Sequence, residues 1–192
     1  FDTPDKENAT FVAALMLPIG ASHPDAPALE LANYIIGGGF LNSRLATRLR
    51  QQDGLSYGAG SFITLNPLDK KATLGAYAIT APHNLAKVER GFKEEIARVI
   101  KDGFTPDEIT SALSGILQDN KVSRAKDNEL VGTLRRNIGR DRTMQWNKAY
   151  EANMAALTPE KVHAVVKKYI QLDDFTIIKA GDMTKAMLVK DE

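Results

Sequence analysis

Apolar residues recur along the chain with two periods, one typical of strands and one typical of helices. Residues 9–19 form a short, almost continuous apolar run, which predicts a strand buried on both faces. Further strands are predicted at residues 55–65, 72–80 and 175–180. Apolar residues spaced by three or four positions predict helices over residues 26–36, 43–53, 82–102, 106–117, 127–139, 146–154 and 159–169. The polar residues 2–8 are predicted to be a linker or entry loop.

Cap and turn signals separate these elements. Thr105-Pro106-Asp107-Glu108 is a capping box, and Thr158-Pro159-Glu160 is a second proline-led helix start. Residues 66–70, with Asn, Pro and Asp, predict a turn that joins two antiparallel strands. The order of elements predicts an α+β two-layer sandwich, a mostly antiparallel sheet with helices on one face. A doubly wound sheet is excluded because several helices follow one another between Pro82 and Ile170.

Composition is that of an ordinary globular protein, with 192 residues, 43% hydrophobic and 26% charged. We treat residues 1–192 as a single domain, and the start at Phe1 predicts a piece of a longer chain. The 25 basic and 24 acidic residues leave a net charge of +1, which gives no electrostatic footprint for nucleic acid. The chain has no cysteine for disulfides or thiolate metal sites. The longest apolar stretch, Phe11 to Leu17, is too short to span a membrane.

The segment from Gly37 to Phe62 carries the candidate chemistry. Three glycines end one apolar run, and a helix with an apolar stripe follows, formed by Leu41, Leu45 and Leu49. Gly54 ends that helix at a position typical of a left-handed residue. The next strand is expected to present alternate residues on one face, namely Leu55, Tyr57, Ala59, Ser61 and Ile63. A guanidinium from Arg50 and a phenol from Tyr57 are therefore expected at the same end of the sheet.

This segment resembles the non-catalytic half of the insulinase/pitrilysin-type zinc peptidases, the inverzincins, a family that includes the mitochondrial processing peptidase. The matching residues are Ser43-Arg44-Leu45, Leu49-Arg50, Gly54-Leu55-Ser56-Tyr57-Gly58 and Ser61. The resemblance implies that the Arg-x6-Tyr pair, here Arg50 and Tyr57, contacts the backbone of a bound peptide near the scissile bond. It also implies a partner: a zinc-bearing catalytic half, on the same polypeptide or on a separate subunit. A bacterial periplasmic or envelope location is a further expectation from the resemblance.

Metal binding by this chain itself is not expected. The histidines, His23, His83 and His163, are isolated from one another, and none has a second histidine at helix spacing. The zinc motif of the resembled family, H-x-x-E-H, does not occur in the sequence. We therefore expect no cofactor in this domain and zinc on the partner domain.

Three other patterns have plain structural interpretations. Gly37-Gly38-Gly39 matches no phosphate-binding motif, so we interpret it as a helix stop and flexible connector. Arg44 and Arg48 share one side of a helix and would suit an interface or an acidic partner. A basic set near the middle of the helical region is diluted by acids and is interpreted as a solvated face, not a nucleic-acid groove. Its members are Lys126, Arg135, Arg136, Arg140 and Arg142.

The function predicted from the sequence is that of a substrate-binding, metal-free half of a zinc metallopeptidase, inactive alone. Two alternatives remain open at this point. One is a structural or assembly subunit that kept the fold without catalysis, like the core subunits of a respiratory complex. The other is a stand-alone peptide-binding module.

Overall fold

A computed structural model describes residues 1–187, and its centre is a four-stranded antiparallel sheet. The strand order is β2-β3-β1-β4, so β2 and β4 lie at the two edges. The strands are β1 (Ala9–Leu17), β2 (Ser56–Leu65), β3 (Ala72–Thr80) and β4 (Thr176–Ala180). The predicted α+β fold and the antiparallel pairing of β2 with β3 are confirmed. The predicted single domain also includes residues 188–192, which lie outside the described residues.

Helices occupy most of the remaining chain. The α-helices are α1 (Ala26–Asn33), α2 (Arg44–Ala46), α3 (Leu85–Asp102), α4 (Pro106–Arg124), α5 (Asp127–Ile138), α6 (Met144–Ala155), α7 (Pro159–Tyr169) and α8 (Met183–Met187). Short 3-10 turns lie at Phe40–Asn42, Pro82–Asn84 and Leu172–Asp174. Two π-helical turns lie at Tyr34–Gly38 and Thr47–Gln52. None of the helices in the described part of the chain is long and apolar enough to cross a membrane.

The core lies between one face of the sheet and the helices. Every second residue of β1, from Ala9 to Leu17, is buried there, and Phe11 and Phe92 pack with ring centroids 5.3 Å apart. The intervening residues are more exposed, and Met16 is 64% exposed. The prediction that this strand is buried on both faces is therefore wrong. The described helices cover only one face of the sheet. The other face of β1 is therefore open, although most residues of the strand are apolar.

Local cap signals were correct at Thr105, Thr158 and Gly54. Thr105 accepts from the backbone N–H of Glu108, and the Glu108 carboxylate accepts from the backbone N–H of Thr105. Thr158 caps α7 in the same way through its hydroxyl. Gly54 has a φ of +61°, in the left-handed region that glycine adopts without strain.

The N-terminal segment is mostly loop, as predicted, but its first residues are attached to the sheet. Asp2 forms a parallel bridge to Gly181, and the backbone N–H of Thr3 donates to the carbonyl of Gly181 at 2.8 Å. The Asp2 carboxylate accepts from the backbone N–H of Met183. These contacts attach the first residues to the end of β4.

The helix predicted over residues 43–53 is interrupted. Ser43 is extended, α2 is a single turn, and residues Thr47–Gln52 follow as a π-helical turn. Leu45 and Leu49 are buried, but Leu41 lies in the preceding 3-10 turn and is exposed. The helix predicted over 26–36 also changes to a π-turn after Asn33. Such wide turns are rare and often occur at functional sites.

Candidate functional site

Close contact between a helical turn and the sheet shapes the candidate site. A Cβ atom on Gly37 would lie 2.2 Å from the backbone nitrogen of Ser61 in β2, so only glycine fits there. The hydroxyl of Ser61 donates to the side-chain oxygen of Asn33 at 2.8 Å. The interpretation of the glycine triplet as a flexible connector is wrong at Gly37, which is packed against a strand.

The Arg44 guanidinium is bound by other residues of the chain. Its guanidinium donates to both carboxylate oxygens of Glu108, at 2.7 and 2.8 Å, and to the carbonyl of Gly103 at 2.9 Å. It also lies 3.6 Å from the carboxylate of the buried Glu95. Burial acts to lower the pKa of Arg44, but the bonds to Glu108 outweigh it and the pKa is raised.

Arg48 is also paired within the chain. Its guanidinium lies 2.8 Å from the carboxylate of Glu94 and 3.3 Å from that of Asp53. The sequence pattern of Arg44 and Arg48 would suit an interface or an acidic partner, and in the structure both are paired with acidic residues of this chain. Their acidic partners come from helices α3 and α4 and from the turn after residue 52.

Arg50 differs from both. It is exposed, and within residues 1–187 it makes no hydrogen bond and no ion pair. It lines a cavity of about 170 Å³ between the two π-turns and the sheet. Phe40, Leu41 and Tyr77 also line this cavity, and small residues of β2 complete it.

Tyr57 lies on a β-bulge in the edge strand β2. The register shifts between Ser56 and Gly58, so Tyr57 is the extra residue and its side chain is 69% exposed. The hydroxyl of Ser56 donates to the carbonyl of Ile79 at 2.8 Å and stabilises the bulge.

The strand alternation predicted for β2 fails at this bulge. Ala59, Ser61 and Ile63 pair with residues of β3 that face the helices. Tyr57, as the extra residue of the bulge, has no partner in β3 and does not continue this alternation. Tyr57 and Arg50 are both exposed near the same end of β2, and within residues 1–187 no hydrogen bond joins them. Tyr57 does not line the cavity beside Arg50. Their shared action on a peptide stays a prediction.

A larger cavity, of about 480 Å³, lies on the other side of the α2 segment. It is lined by Arg44, Arg48, Glu95 and Glu108, among others. Arg44 is bound to Glu108 and Arg48 to Glu94, although the buried Nε of Arg48 has no hydrogen-bond partner within residues 1–187. Its chemistry is that of a structural ion-pair network.

The histidines lie apart. His23 accepts from the backbone N–H of Asp25, His163 is hydrogen bonded to the carbonyl of Ile100, and His83 is exposed in a 3-10 turn. Among the described residues, no group of three or more potential metal-ligating side chains comes together.

The basic set of the helical region is dispersed. Lys126 pairs with Glu129, and Arg142 donates to Ser22 and stacks 3.9 Å over the ring of Trp146. These local contacts agree with the interpretation of a solvated face.

Sequence reasoning missed a partly buried polar pair between α1 and α6. Tyr150 donates to the carboxylate of Glu30 at 2.7 Å. Burial raises the pKa of both groups, and the neighbouring Glu30 raises that of Tyr150 further. No local motif signals this pair, because its members lie 120 positions apart.

Comparison with solved structures defines the class of fold. The peptidase M16 inactive domain from Pseudomonas fluorescens matches with a TM-score of 0.81 and 23% identity, over 94% of this chain and 41% of that chain. A protease from Helicobacter pylori matches with a TM-score of 0.83 and 15% identity, over 94% of this chain and 42% of that chain. These matches show that the chain shares the α+β fold of a solved peptidase M16 inactive domain.

A family model described as the peptidase M16 inactive domain matches residues 1–116, and the chain belongs to this family. The resemblance drawn from the central segment is thereby confirmed. An uncharacterised zinc protease of Streptomyces coelicolor is 30% identical over 145 residues, which cover 73% of this chain and 30% of the relative. The chain thus spans less than a third of that relative.

Proposed function

We propose that this domain is the substrate-binding, metal-free half of a zinc metallopeptidase and acts with a zinc-bearing catalytic half. The family supports the first part of the proposal, since its model describes an inactive peptidase domain. The second part is supported by length, because the Streptomyces zinc protease is more than three times as long as its matched region. The partner half lies on the same polypeptide or on a separate subunit.

The observation that carries the proposal is the free guanidinium of Arg50. Arg44 and Arg48, on the same segment, are held by carboxylates of the chain, whereas Arg50 is exposed beside a cavity. A zinc ion on the partner half would supply an activated water for peptide hydrolysis, and attack on the peptide carbonyl would place negative charge on its oxygen. A permanently charged planar donor can position that carbonyl and stabilise the charge.

Tyr57 would supply a second, directional donor. Bulges re-aim side chains next to active sites, and this one leaves the Tyr57 phenol exposed at the sheet edge. The phenol and the guanidinium would hold the peptide backbone from this side, while the catalytic half binds the peptide as an added strand.

The test uses the full-length protein with its zinc-bearing half. We expect Arg50→Ala and Tyr57→Phe each to lower kcat on unfolded peptides by about a hundredfold, the usual effect of removing one such donor. Arg135→Ala, an exposed arginine on α5, is the matched control and should keep full activity. Full activity of both Arg50→Ala and Tyr57→Phe would contradict the proposal.

The isolated chain gives a second test. Peptide hydrolysis by residues 1–192 alone, inhibited by a chelator, would also contradict the proposal. The structural-subunit alternative predicts no effect of either substitution on any peptidase activity. A stand-alone peptide-binding module would bind unfolded peptides without a partner, which a titration monitored by the fluorescence of Trp146 would detect.

The bacterial periplasm or envelope is our proposal for the compartment. The sequence has no cysteine, so an oxidising compartment has no thiol of this chain to cross-link. Cell fractionation followed by detection of the full-length protein tests it, and recovery in the cytosolic fraction would contradict it.

A further inference from the structure

We infer that Tyr77 and Phe40, together with Arg50, form a specificity pocket that receives one aromatic or long apolar side chain of the bound peptide. The inference rests on the proposed function, because it names the part of the substrate that meets the cavity beside Arg50. The cavity, of about 170 Å³, is smaller than typical small-molecule pockets of roughly 300–1,000 Å³. Its size suits a single side chain.

Tyr77 forms one wall of this pocket. It lies on the open face of β3, is 42% exposed, and its hydroxyl makes no hydrogen bond within residues 1–187. A Cβ atom on Gly60, the residue opposite in β2, would lie 3.2 Å from that hydroxyl. The ring therefore lies across a glycine of the neighbouring strand, with its hydroxyl free to meet a ligand.

Phe40 forms the rim. Its backbone is left-handed, with a φ of +58°, and its side chain is 78% exposed. A bulky residue rarely adopts this conformation, and such strain persists where the surrounding structure holds it. The hydroxyl of Ser43 donates to the Phe40 carbonyl at 2.7 Å and helps to hold it. An exposed ring thus stands at the edge of the cavity at a cost in backbone strain.

The lining predicts which side chains fit. Two aromatic rings offer apolar and stacking surface, and Gly58 and Ala59 leave the space between them open. The unpaired guanidinium of Arg50 attracts a backbone carbonyl beside the bound side chain. The same charge repels lysine and arginine at this position, so the pocket selects against basic residues.

The test compares Tyr77→Ala with Ile79→Ala in the full-length protein with its zinc-bearing half. Ile79 is a matched control: it lies on the same face of β3, is 41% exposed, and does not line the cavity. The probe is fluorescein-labelled casein, with the cleaved bonds identified by mass spectrometry. Thermal unfolding of each variant checks that the fold is intact.

We expect Tyr77→Ala to raise KM about fivefold to tenfold, the effect of removing an aromatic contact worth about 1 kcal/mol or more. It should leave kcat within about twofold, and it should broaden the set of residues beside the cleaved bonds. Ile79→Ala should change neither KM nor the cleavage pattern. Phe40→Gly removes the other ring and relieves the left-handed strain, so it should raise KM without loss of stability.

An unchanged cleavage pattern and KM in Tyr77→Ala would overturn the inference, as would an equal change in Ile79→Ala. The proposed function fails separately, when Arg50→Ala and Tyr57→Phe keep full activity. If those two variants lose turnover and Tyr77→Ala has no effect, the inference of a specificity pocket is contradicted and the proposed function is not.

Discussion

The two cavities beside the segment from Arg44 to Gln52 use the same residue type in opposite ways. On one side, Arg44 is bound by Glu108 and by the carbonyl of Gly103 in a wall of paired charges. On the other side, Arg50 lines a smaller cavity without a partner in the described part of the chain. The larger cavity is thus lined by arginines that hold the fold together, and the smaller cavity is lined by an arginine that is available to a ligand.

This difference shows that a count of arginines does not identify a binding site. Arg44 and Glu108 are 64 positions apart, and the fold brings them together. Charge that is satisfied within the chain stabilises the domain, whereas unsatisfied charge is available to a ligand.

The largest effect on stability is expected at Arg44. Arg44→Met should destabilise the domain by about 3 kcal/mol, since it leaves the buried Glu95 without its cation from α2 and breaks the bidentate bond to Glu108. Urea denaturation measures the change. Arg50→Met is the matched control and should change stability by less than about 0.5 kcal/mol. Equal losses of stability in Arg44→Met and Arg50→Met would contradict the distinction between the two cavities.

A smaller effect is expected at the glycine behind the Arg50 cavity. Gly37→Ala should cost about 2 kcal/mol, because its Cβ would overlap the backbone of β2 at Ser61. Gly58→Ala is the control, since a Cβ at Gly58 meets no atom within 4 Å. Thermal unfolding compares the two, and an equal Tm for both variants would show that the contact at Gly37 is loose.

The smallest effect is a pH dependence in the paired region. Burial acts to raise the pKa of Glu108, but bonds from Arg44 and Thr105 outweigh it, so its pKa is lowered in the fold. A lowered carboxyl pKa stabilises the fold above the unfolded value, near 4.5, and this stabilisation is lost as pH falls through the folded value.

Glu108→Gln should therefore lose about 1 kcal/mol at pH 7, a modest figure because the carboxylate is partly exposed. The difference from the unsubstituted protein should close as the pH falls below 4.5 and through the lowered pKa of Glu108. Urea denaturation at a series of pH values measures it. A difference that persists once this carboxylate is protonated in the folded protein would assign the loss to packing instead of charge.

What could be predicted from the sequence follows from how local each signal is. The capping box at Thr105, the left-handed Gly54 and the antiparallel pairing of β2 with β3 need only neighbouring residues, and all are confirmed. The family resemblance in the central segment is also a local pattern, and the family model confirms it. A short motif can be recognised from the sequence because its residues are close together in the chain.

The rest depends on contacts that no short window contains. The period of three and four through Leu45 and Leu49 cannot distinguish an α-helix from a π-turn. The bulge at Tyr57 breaks a strand alternation that the sequence continues without interruption. The sequence did not predict Tyr77 as a neighbour of Arg50. Tyr77 lies beside the cavity only because β3 pairs with β2.

The bulge in β2 has a consequence for how other chains approach this edge. A regular edge strand offers a row of free amides and carbonyls on which a foreign strand can assemble, and irregular pairing disrupts such a template. At Tyr57 the ladder is out of step, and glycines follow at positions 58 and 60. The bulge therefore makes this edge of the sheet a poor template for pairing with another strand, including a strand of a second copy of the chain.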